Sequence, residues 1–277
     1  MSFDNDTLTA YLPGRSFPSL SVTGKGCDQM CGHCKGSHLN GMTDVSNVPD
    51  MFGVIDSLIS SGGEGILVSG GCDMNGSVPI MRATDAIGHA TRNGLRVNVH
   101  TGFIKRDDAE RLVAAGVREF SVDVHQDPDI IRDVLRLAVR PDAYSDLLDN
   151  IIAVGGRPVA HLTAGFGTAD LEMSADLVKK KGLREGILLA LVPTKGTITE
   201  HSLISEDAVV DAAKMLIDMN FEVTLGCMRP RVHRALERRC ITAGVRKIAN
   251  PSRGTISWAL DNGMKVIVKR MCCCFTR

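Results

Sequence analysis

The sequence predicts an α/β fold, a TIM-like (β/α) barrel that is full or partial and has parallel strands. Short apolar or β-branched runs, typical of doubly covered parallel strands, alternate along the chain with segments of helical period. The length of 277 residues also fits one such barrel. An open Rossmann-type sheet is the alternative, but no GxGxxG motif follows the first predicted strand.

Compact apolar runs predict eight strands, over 20–23, 65–69, 96–101, 119–125, 158–166, 186–192, 222–226 and 247–250. Apolar residues with a period of about 3.6 predict helices over 50–59, 107–115, 142–154, 170–181, 206–219 and 231–243. Several of these segments are followed by glycine, as helix C-termini often are. We therefore expect one domain over 1–277, with a short N-terminal extension (1–18) and a cysteine-rich C-terminal tail (264–277).

Composition excludes several classes of function. Lys and Arg total 32 and Asp and Glu total 32, so the chain lacks the positive excess of a nucleic-acid-binding protein. No run of eighteen apolar residues is present, which predicts no membrane span. The acidic and polar first residues do not resemble a signal peptide, so we expect a cytoplasmic protein.

Nine cysteines in a reduced compartment favour metal binding or catalysis over disulfides. Cys27, Cys31 and Cys34 have the spacing C-x3-C-x2-C, in a glycine-containing segment just after the first predicted strand. Soft thiolates at short spacing select iron–sulfur clusters or zinc. Structural zinc usually takes four ligands, for which His33 is the one local candidate. A [4Fe–4S] cluster can be held by three cysteines, which leaves one iron open for a substrate.

The C-x3-C-x2-C spacing resembles that of the radical S-adenosylmethionine (SAM) enzymes. The resemblance implies that Cys27, Cys31 and Cys34 hold a [4Fe–4S] cluster whose open iron binds SAM. Reduction would then cleave SAM to methionine and a 5′-deoxyadenosyl radical. It also implies SAM contacts after or on later strands, at Gly70, Gly71, Ser121, Asp123, Gly165, Gly167 and Val192.

Some of these positions have other interpretations. Cys72 stands where the family has an acidic residue after its Gly-Gly pair, so that contact departs from the pattern. Ser121 and Asp123 also fit a strand face that meets solvent. Arg229 and Arg231 follow the seventh predicted strand and would bind a SAM carboxylate, a cluster sulfide or the acidic surface of a carrier protein. The alternative is that they are surface residues at the start of the next helix.

The chain ends with Cys272, Cys273 and Cys274, and three adjacent exposed thiols would be an oxidation hazard unless some were coordinated. Because alternate residues of an extended strand point to opposite sides, we expect at most two of them to reach one cluster. The prediction is an auxiliary iron–sulfur cluster held by Cys227 with Cys272 and either Cys273 or Cys274. Cys72 is a possible additional ligand, and the alternative is a disordered tail of free thiols.

Cys240 lies inside a predicted helix and is interpreted as an ordinary packing residue. Segments 22–36, 191–197 and 226–231, together with the terminal cysteine run, resemble biotin synthase relatives. They are most similar to the two-component lipoyl synthases of archaea. Two features of single-chain lipoyl synthases, an N-terminal cysteine triplet and a C-terminal Arg-Ser-Ser-Tyr, are missing from this sequence.

This narrower resemblance implies a sulfurtransferase of lipoyl cofactor biosynthesis. The enzyme would insert sulfur from the auxiliary cluster into unactivated C–H bonds of an octanoyl chain. Its implied partners are an octanoylated lipoyl carrier protein or peptide, a second related radical SAM subunit, and an electron donor such as ferredoxin. One alternative is a radical methylase, isomerase or peptide- or cofactor-modifying enzyme without sulfur insertion. Another is a non-catalytic electron carrier whose cluster Cys72 would close.

Overall fold

A computed structural model describes residues 6–275. Within this range eleven parallel strands form one sheet, in the order β11-β1-β10-β9-β8-β7-β6-β5-β4-β2-β3. The sheet curls into a partial barrel with helices on its outside, so the predicted fold class is confirmed. No helix in this part of the chain is both long and apolar enough to cross a membrane.

The strands have the following bounds: β1 Thr7–Tyr11, β2 Ser19–Ser21, β3 Thr43–Asp44, β4 Gly65–Ser69, β5 Arg96–His100, β6 Glu119–Asp123, β7 Arg157–Ala164, β8 Glu185–Ala190, β9 Glu222–Leu225, β10 Lys247–Ala249 and β11 Lys265–Lys269. The α-helices have the following bounds: α1 Val48–Ser60, α2 Thr84–Arg92, α3 Arg106–Ala114, α4 Asp142–Ala153, α5 Thr168–Lys180, α6 Glu206–Asp218, α7 Leu236–Thr242 and α8 Arg253–Asp261. A short π-helix, Ile130–Val134, follows β6.

The helices form where apolar residues recur on one face. Helix α1 buries Met51, Ile55 and Leu58, at intervals of four and three residues. Helix α6 begins where the hydroxyl of Ser205 accepts a hydrogen bond from the amide of Ala208, which satisfies one free donor of its first turn. These amphipathic helices can bury their apolar faces only against the outer side of the sheet.

The two faces of the sheet differ because successive side chains of a strand point to opposite sides. Outward-facing Val99, Phe120 and Leu162 belong to the main hydrophobic core with the helices. A second, smaller cluster lies inside the barrel and includes residues from β1, β7, β8, β10 and the end of the chain: Tyr11, Val159, Ile187, Leu189, Ala249, Cys273 and Cys274. The C-terminal segment therefore fills part of the barrel interior.

The prediction of an N-terminal extension over 1–18 is wrong for the residues of β1. This strand pairs with both β10 and β11, and β11 itself lies in the predicted tail 264–277. The segment of β1, Thr-Leu-Thr-Ala-Tyr, alternates polar and apolar residues over only five positions, and Leu8, Ala10 and Tyr11 are buried. Residues 1–5 and 276–277, which belong to the predicted extension and tail, lie outside the described residues.

The helix predicted over 231–243 begins only at Leu236, because the preceding segment is held in a loop by Arg229. Helices α2 and α8 were absent from the prediction, and each contains a glycine, Gly88 or Gly254, which weakens the helical signal. Burial of Ala86, Ile87, Gly88 and Ala90 stabilises α2. Tertiary packing thus outweighs intrinsic propensity here.

Candidate active site

The predicted cysteine loop follows β2, at the end of the barrel where the strands terminate, as chemistry in a (β/α) barrel requires. The loop packs on the segment after β4. The amides of Asp28 and Gln29 donate to the carbonyl of Cys72, at 2.9 and 3.1 Å. The amide of Gly71 donates to the hydroxyl of Thr23 at 2.7 Å. The two predicted site segments therefore form one wall of the barrel mouth.

Gly71 is required at this contact. A Cβ atom added there would lie 2.0 Å from the carbonyl oxygen of Gly26 and 2.5 Å from the Cα of Cys27, both backbone atoms. Gly70 is less crowded, with its nearest neighbour the Thr23 hydroxyl at 3.1 Å. The close approach of the Cys27 backbone is therefore a structural reason for glycine at position 71. It is separate from the SAM contact that the family resemblance implies.

We expect Gly71→Ala to displace the cysteine loop, because the backbone of Gly26 and Cys27 cannot move away from the added Cβ as a flexible side chain could. The amount of iron bound after anaerobic reconstitution should fall at least several-fold. The matched control is Gly53→Ala in α1, where an added Cβ meets no atom within 4 Å. This control should retain iron and gain roughly 0.5–1 kcal/mol of stability. Iron analysis with thermal melting measures both effects, and full iron binding by Gly71→Ala would contradict the expectation.

Within the loop the structure brings two of the three predicted thiols together with a histidine. The Cys31 and Cys34 sulfurs and one ring nitrogen of His33 lie within 4.8 Å of one another. Cys27 lies against the neighbouring segment, with its Sγ donating to the Cys72 carbonyl at 3.8 Å. The Cys31 thiol donates to the Leu135 carbonyl at 3.4 Å. The interaction between the two neighbouring sulfurs raises the pKa of Cys31 and lowers that of Cys34. A lowered pKa favours the thiolate, which is the form that binds metal.

The other side of the cysteine loop is hydrogen-bonded to two further segments of the chain. The amide of Gly32 donates to the Val134 carbonyl at 2.6 Å, and the Gln29 side chain donates to the Leu135 carbonyl at 2.7 Å. The amide of Ile198 donates back to the Gly32 carbonyl at 3.0 Å. The loop is thus fixed between the π-helix region after β6 and the connection after β8.

The predicted adenine-side residues lie near this loop. Phe166, which stands between Gly165 and Gly167, packs its ring edge-on against His33 at a centroid distance of 5.3 Å. Gly165 has a φ of +116° and passes so close to Leu191 that a Cβ would lie 2.7 Å from it. Half-buried Val192 is the second residue after β8, and its carbonyl accepts a hydrogen bond from the Thr194 hydroxyl. The SAM contacts assigned to these residues stay predictions.

Three polar side chains converge on the inner face near the ends of β5, β6 and β7. Asp123 accepts hydrogen bonds from His100 Nε2 at 3.1 Å and from His161 Nδ1 at 3.3 Å. Burial by itself would raise the pKa of Asp123, but the two histidines hold it well below the usual range. The Asp123 side chain is 46% exposed, so a carboxylate opens into the mouth.

Ser121, the second predicted ribose contact, lies one step deeper than Asp123 and is only 1% exposed. Its hydroxyl hydrogen-bonds Asn98 and lies 3.1 Å from the sulfur of Cys274. The structure therefore brings Ser121 to the chain terminus rather than to the mouth. Asn98 was absent from the prediction, although Arg96, Asn98 and His100 alternate with valines along β5.

The terminal thiols are not on an exposed tail. The segment after β11 turns back into the barrel, where Cys273 and Cys274 are buried. The amide of Phe275 donates to the Cys272 carbonyl at 3.2 Å, so the cysteines lie in a turn and all three sulfurs converge. The expectation that at most two can face one cluster is therefore wrong, because it assumed an extended strand. Cys227 is exposed, whereas Cys240 is buried in the core, as its interpretation as a packing residue requires.

Arg229 is buried, and its guanidinium is hydrogen-bonded within the protein. It is 3% exposed, and its guanidinium donates to Glu237 and to the carbonyls of Gly226, Ala249 and Asn250. The structure thus gives Arg229 a role in fastening the loop after β9 to α7 and β10, and its assignment as a ligand-binding residue stays a prediction. Arg231 contacts Glu237 as well, but its side chain is 52% exposed.

A buried hydrogen bond between Asp170 and His125 lies beside the mouth and was absent from the sequence prediction. Asp170 at the start of α5 accepts hydrogen bonds from His125 Nδ1 and from the amides of Gln126 and Asp127, at 2.7–2.9 Å. Burial opposes ionisation of Asp170, yet these donors lower its pKa. Because the three donors lie directly after β6, Asp170 fixes the segment that follows Asp123.

The same partial barrel occurs in several solved structures. Methylornithine synthase (PylB) aligns with a TM-score of 0.63 at 12% identity, over 96% of this chain and 85% of that protein. The FeFe-hydrogenase maturase HydG from Carboxydothermus hydrogenoformans aligns with a TM-score of 0.60 at 14% identity, over 97% and 69%. Streptococcus suis SuiB bound to S-adenosylmethionine aligns with a TM-score of 0.57 at 13% identity, over 79% of this chain and 51% of SuiB.

These likenesses establish the fold alone, which the chain shares with the three proteins over 79–97% of its length. The chain spans about half the length of SuiB. No family model and no curated protein sequence matches the chain.

Proposed function

We propose that this protein is a radical SAM enzyme. The observation that carries the proposal is the C-x3-C-x2-C loop, fixed after the first core strand at the mouth of a partial barrel. A barrel of this fold binds S-adenosylmethionine in SuiB. The donor set is soft, and the buried Nδ1 of His33 beside it has no hydrogen-bond partner among the described residues. These features fit a cluster at the loop.

Cys27, Cys31 and Cys34 would hold a [4Fe–4S] cluster with an open iron, and Gly70, Gly71 and Asp123 would position SAM against it. When bound, the cluster and SAM supply reductive cleavage to a 5′-deoxyadenosyl radical, which abstracts hydrogen from an unactivated C–H bond. The protein itself would hold the reacting groups close together and exclude water from them. Phe166 and the buried residues of the inner cluster would line the site with apolar surface.

The finer proposal is sulfur insertion, in which an auxiliary cluster held by the terminal thiols supplies the sulfur. Its support is the burial of Cys273 and Cys274 inside the barrel, on the inner face that also carries His100, Asp123 and His161. The substrate would be an octanoyl chain on a lipoyl carrier protein or peptide, with a second related subunit and a ferredoxin-type electron donor. A flexible acyl-lysine arm can enter the mouth while its carrier stays outside.

A peptide-modifying radical reaction without sulfur insertion is the second candidate. A solved structure of SuiB has a precursor peptide, SuiA, bound, and its barrel covers 92% of this chain with a TM-score of 0.55. Both candidates share the SAM cluster, so they differ only in what the terminal thiols do.

The first experiment tests the shared chemistry. The anaerobically reconstituted full chain is mixed with SAM and dithionite, and we expect 5′-deoxyadenosine and methionine, with a change in the EPR signal of the reduced cluster on SAM addition. A closed cluster, with Cys72 as its fourth ligand, would give an unchanged signal and no deoxyadenosine. Zinc at the loop, or no deoxyadenosine from a fully iron-loaded protein, would refute the proposal.

The same reaction separates sulfur insertion from the second candidate. An octanoyl-lysyl peptide is added, and products are compared for the wild type and for a chain with Cys272, Cys273 and Cys274 changed to Ala. Sulfur insertion from the tail predicts a thiolated product only with the wild type. A sulfur-containing product from the variant would show that the tail is not the source.

A further inference from the structure

The last turn of the described chain brings three sulfur atoms together inside the barrel. The Sγ atoms of Cys272, Cys273 and Cys274 all lie within 4.8 Å of one another, and those of Cys272 and Cys274 are 3.5 Å apart. Cys273 and Cys274 are 7% and 2% exposed. Cys272 is half-buried. Three thiols form a soft donor group, which favours iron–sulfur clusters or zinc over hard cations.

A fourth donor faces this turn from β7. His161 Nε2 lies 4.0 Å from the Cys274 sulfur, while its Nδ1 lies 3.3 Å from Asp123. In metal sites a ligating histidine usually donates its other ring N–H to a carboxylate, which fixes the tautomer and the ring orientation. With Nδ1–H donated to Asp123, the lone pair of Nε2 is left to face the thiols.

The polar groups around the turn suit sulfur that carries negative charge. The Asn98 amide nitrogen lies 3.2 Å from the Cys274 sulfur and 3.8 Å from that of Cys272. The Ser121 hydroxyl lies 3.1 Å from Cys274. Hydrogen bonds to the sulfur atoms are one of the factors that set the reduction potential of an iron–sulfur cluster. Asn98 lies on β5 and Ser121 on β6, and β6 pairs with β7, the strand that carries His161.

Cys227 fits the turn less well than His161. Cys227 is exposed, whereas His161 Nε2 lies 4.0 Å from the Cys274 sulfur. Neither residue belongs to the group of three sulfurs that lie within 4.8 Å of one another. We propose that Cys272, Cys273, Cys274 and His161 are the four protein ligands of one iron–sulfur cluster inside the barrel. Asp123 is the positioning residue for His161. Histidine in place of cysteine has a precedent in Rieske clusters.

This inference deepens the proposed function, on which it rests for the assumption that the terminal thiols bind iron. Its test uses the full chain with Cys27, Cys31 and Cys34 all changed to Ala, so that any cluster belongs to the tail. The protein is labelled with ¹⁵N-histidine, reconstituted anaerobically with iron and sulfide, reduced, and measured by pulsed EPR. We expect a cluster whose signal shows the nitrogen coupling of a directly bound imidazole.

Two further changes in this background assign the coupling. His161→Ala should remove it, whereas His100→Ala should keep it, because His100 contacts the same carboxylate without facing the thiols. His161→Cys should bind a cluster without nitrogen coupling, which separates loss of a ligand from loss of folding; thermal melting is followed for each variant.

Three results would overturn the assignment of His161. The triple variant could form a cluster without histidine coupling, or bind zinc or no metal. Alternatively, the histidine coupling could survive His161→Ala. The proposed function is tested separately, through deoxyadenosine formation by the wild type. An active wild type whose tail cluster lacks a histidine ligand would therefore refute this inference alone. An inactive wild type would refute the proposed function.

Discussion

Replacing Cys34 by alanine is expected to reduce deoxyadenosine formation to the level of a protein-free control. The same result is expected for Cys27→Ala and Cys31→Ala, because a cluster with only three protein ligands has none to spare. Loss of an outer-shell partner already costs about 10–100-fold in metal affinity or activity, and loss of a ligand costs more. Iron content and deoxyadenosine are measured after identical anaerobic reconstitution.

Two controls interpret this loss. Cys240→Ala removes a core thiol that lies in α7, away from the loop, and should leave iron binding and deoxyadenosine unchanged. His33→Ala decides between the two kinds of site, since the His33 ring lies with Cys31 and Cys34 in the structure. An open-iron cluster should survive this change. If His33→Ala lost metal as completely as Cys34→Ala, the loop would be a closed four-ligand site instead.

The largest expected effect on stability is that of Arg229→Met. This change leaves the Glu237 carboxylate, whose side chain is only 9% exposed, without its main partner. Breaking a buried ion pair by removing one partner costs about 3–5 kcal/mol. Thr255 and the amide of Ser252 still donate to Glu237 and hold part of the network. Urea unfolding at neutral pH measures the change in the free energy of unfolding.

Arg231→Ala is the matched control, because Arg231 contacts the same carboxylate from an exposed position and should cost less than about 1 kcal/mol. The double variant Arg229→Met, Glu237→Leu should recover much of the loss, since no unpaired charge is then buried. A cost for Arg229→Met no larger than that for Arg231→Ala would show that Arg229 does not fasten this loop.

The ion pair between Arg229 and Glu237 also predicts how the free energy of unfolding changes in acid. Burial would raise the pKa of Glu237, but hydrogen bonds from Arg229, Thr255 and Ser252 lower it. A carboxylate with a lowered folded-state pKa stabilises the protein above its unfolded value, about 4.3, and this contribution is lost as the pH falls through the folded value. The difference in stability between wild type and Arg229→Met should therefore shrink in acid.

Local sequence patterns predicted much of the fold and of the cysteine loop. Strands such as β4 and β8 are compact apolar runs because both of their faces are covered, and that property is visible in the residues themselves. Cys27, Cys31 and Cys34 lie within eight residues of one another, so their proximity is a property of the chain rather than of the fold. The sequence alone therefore predicted a parallel barrel with a thiol site at its mouth.

Only the tertiary structure decided which distant residues meet. Asp123, His161 and Cys274 are separated by 38 to 151 positions, and they come together through the register of β6 on β7 and the return of the chain after β11. Whether the last cysteines form a strand or a turn depends on the space left inside the curled sheet. Arg229 likewise contacts the carbonyls of Ala249 and Asn250, which are remote from it in sequence. Contacts of this kind depend on strand order and register, which are properties of the folded sheet and not of any short stretch of sequence.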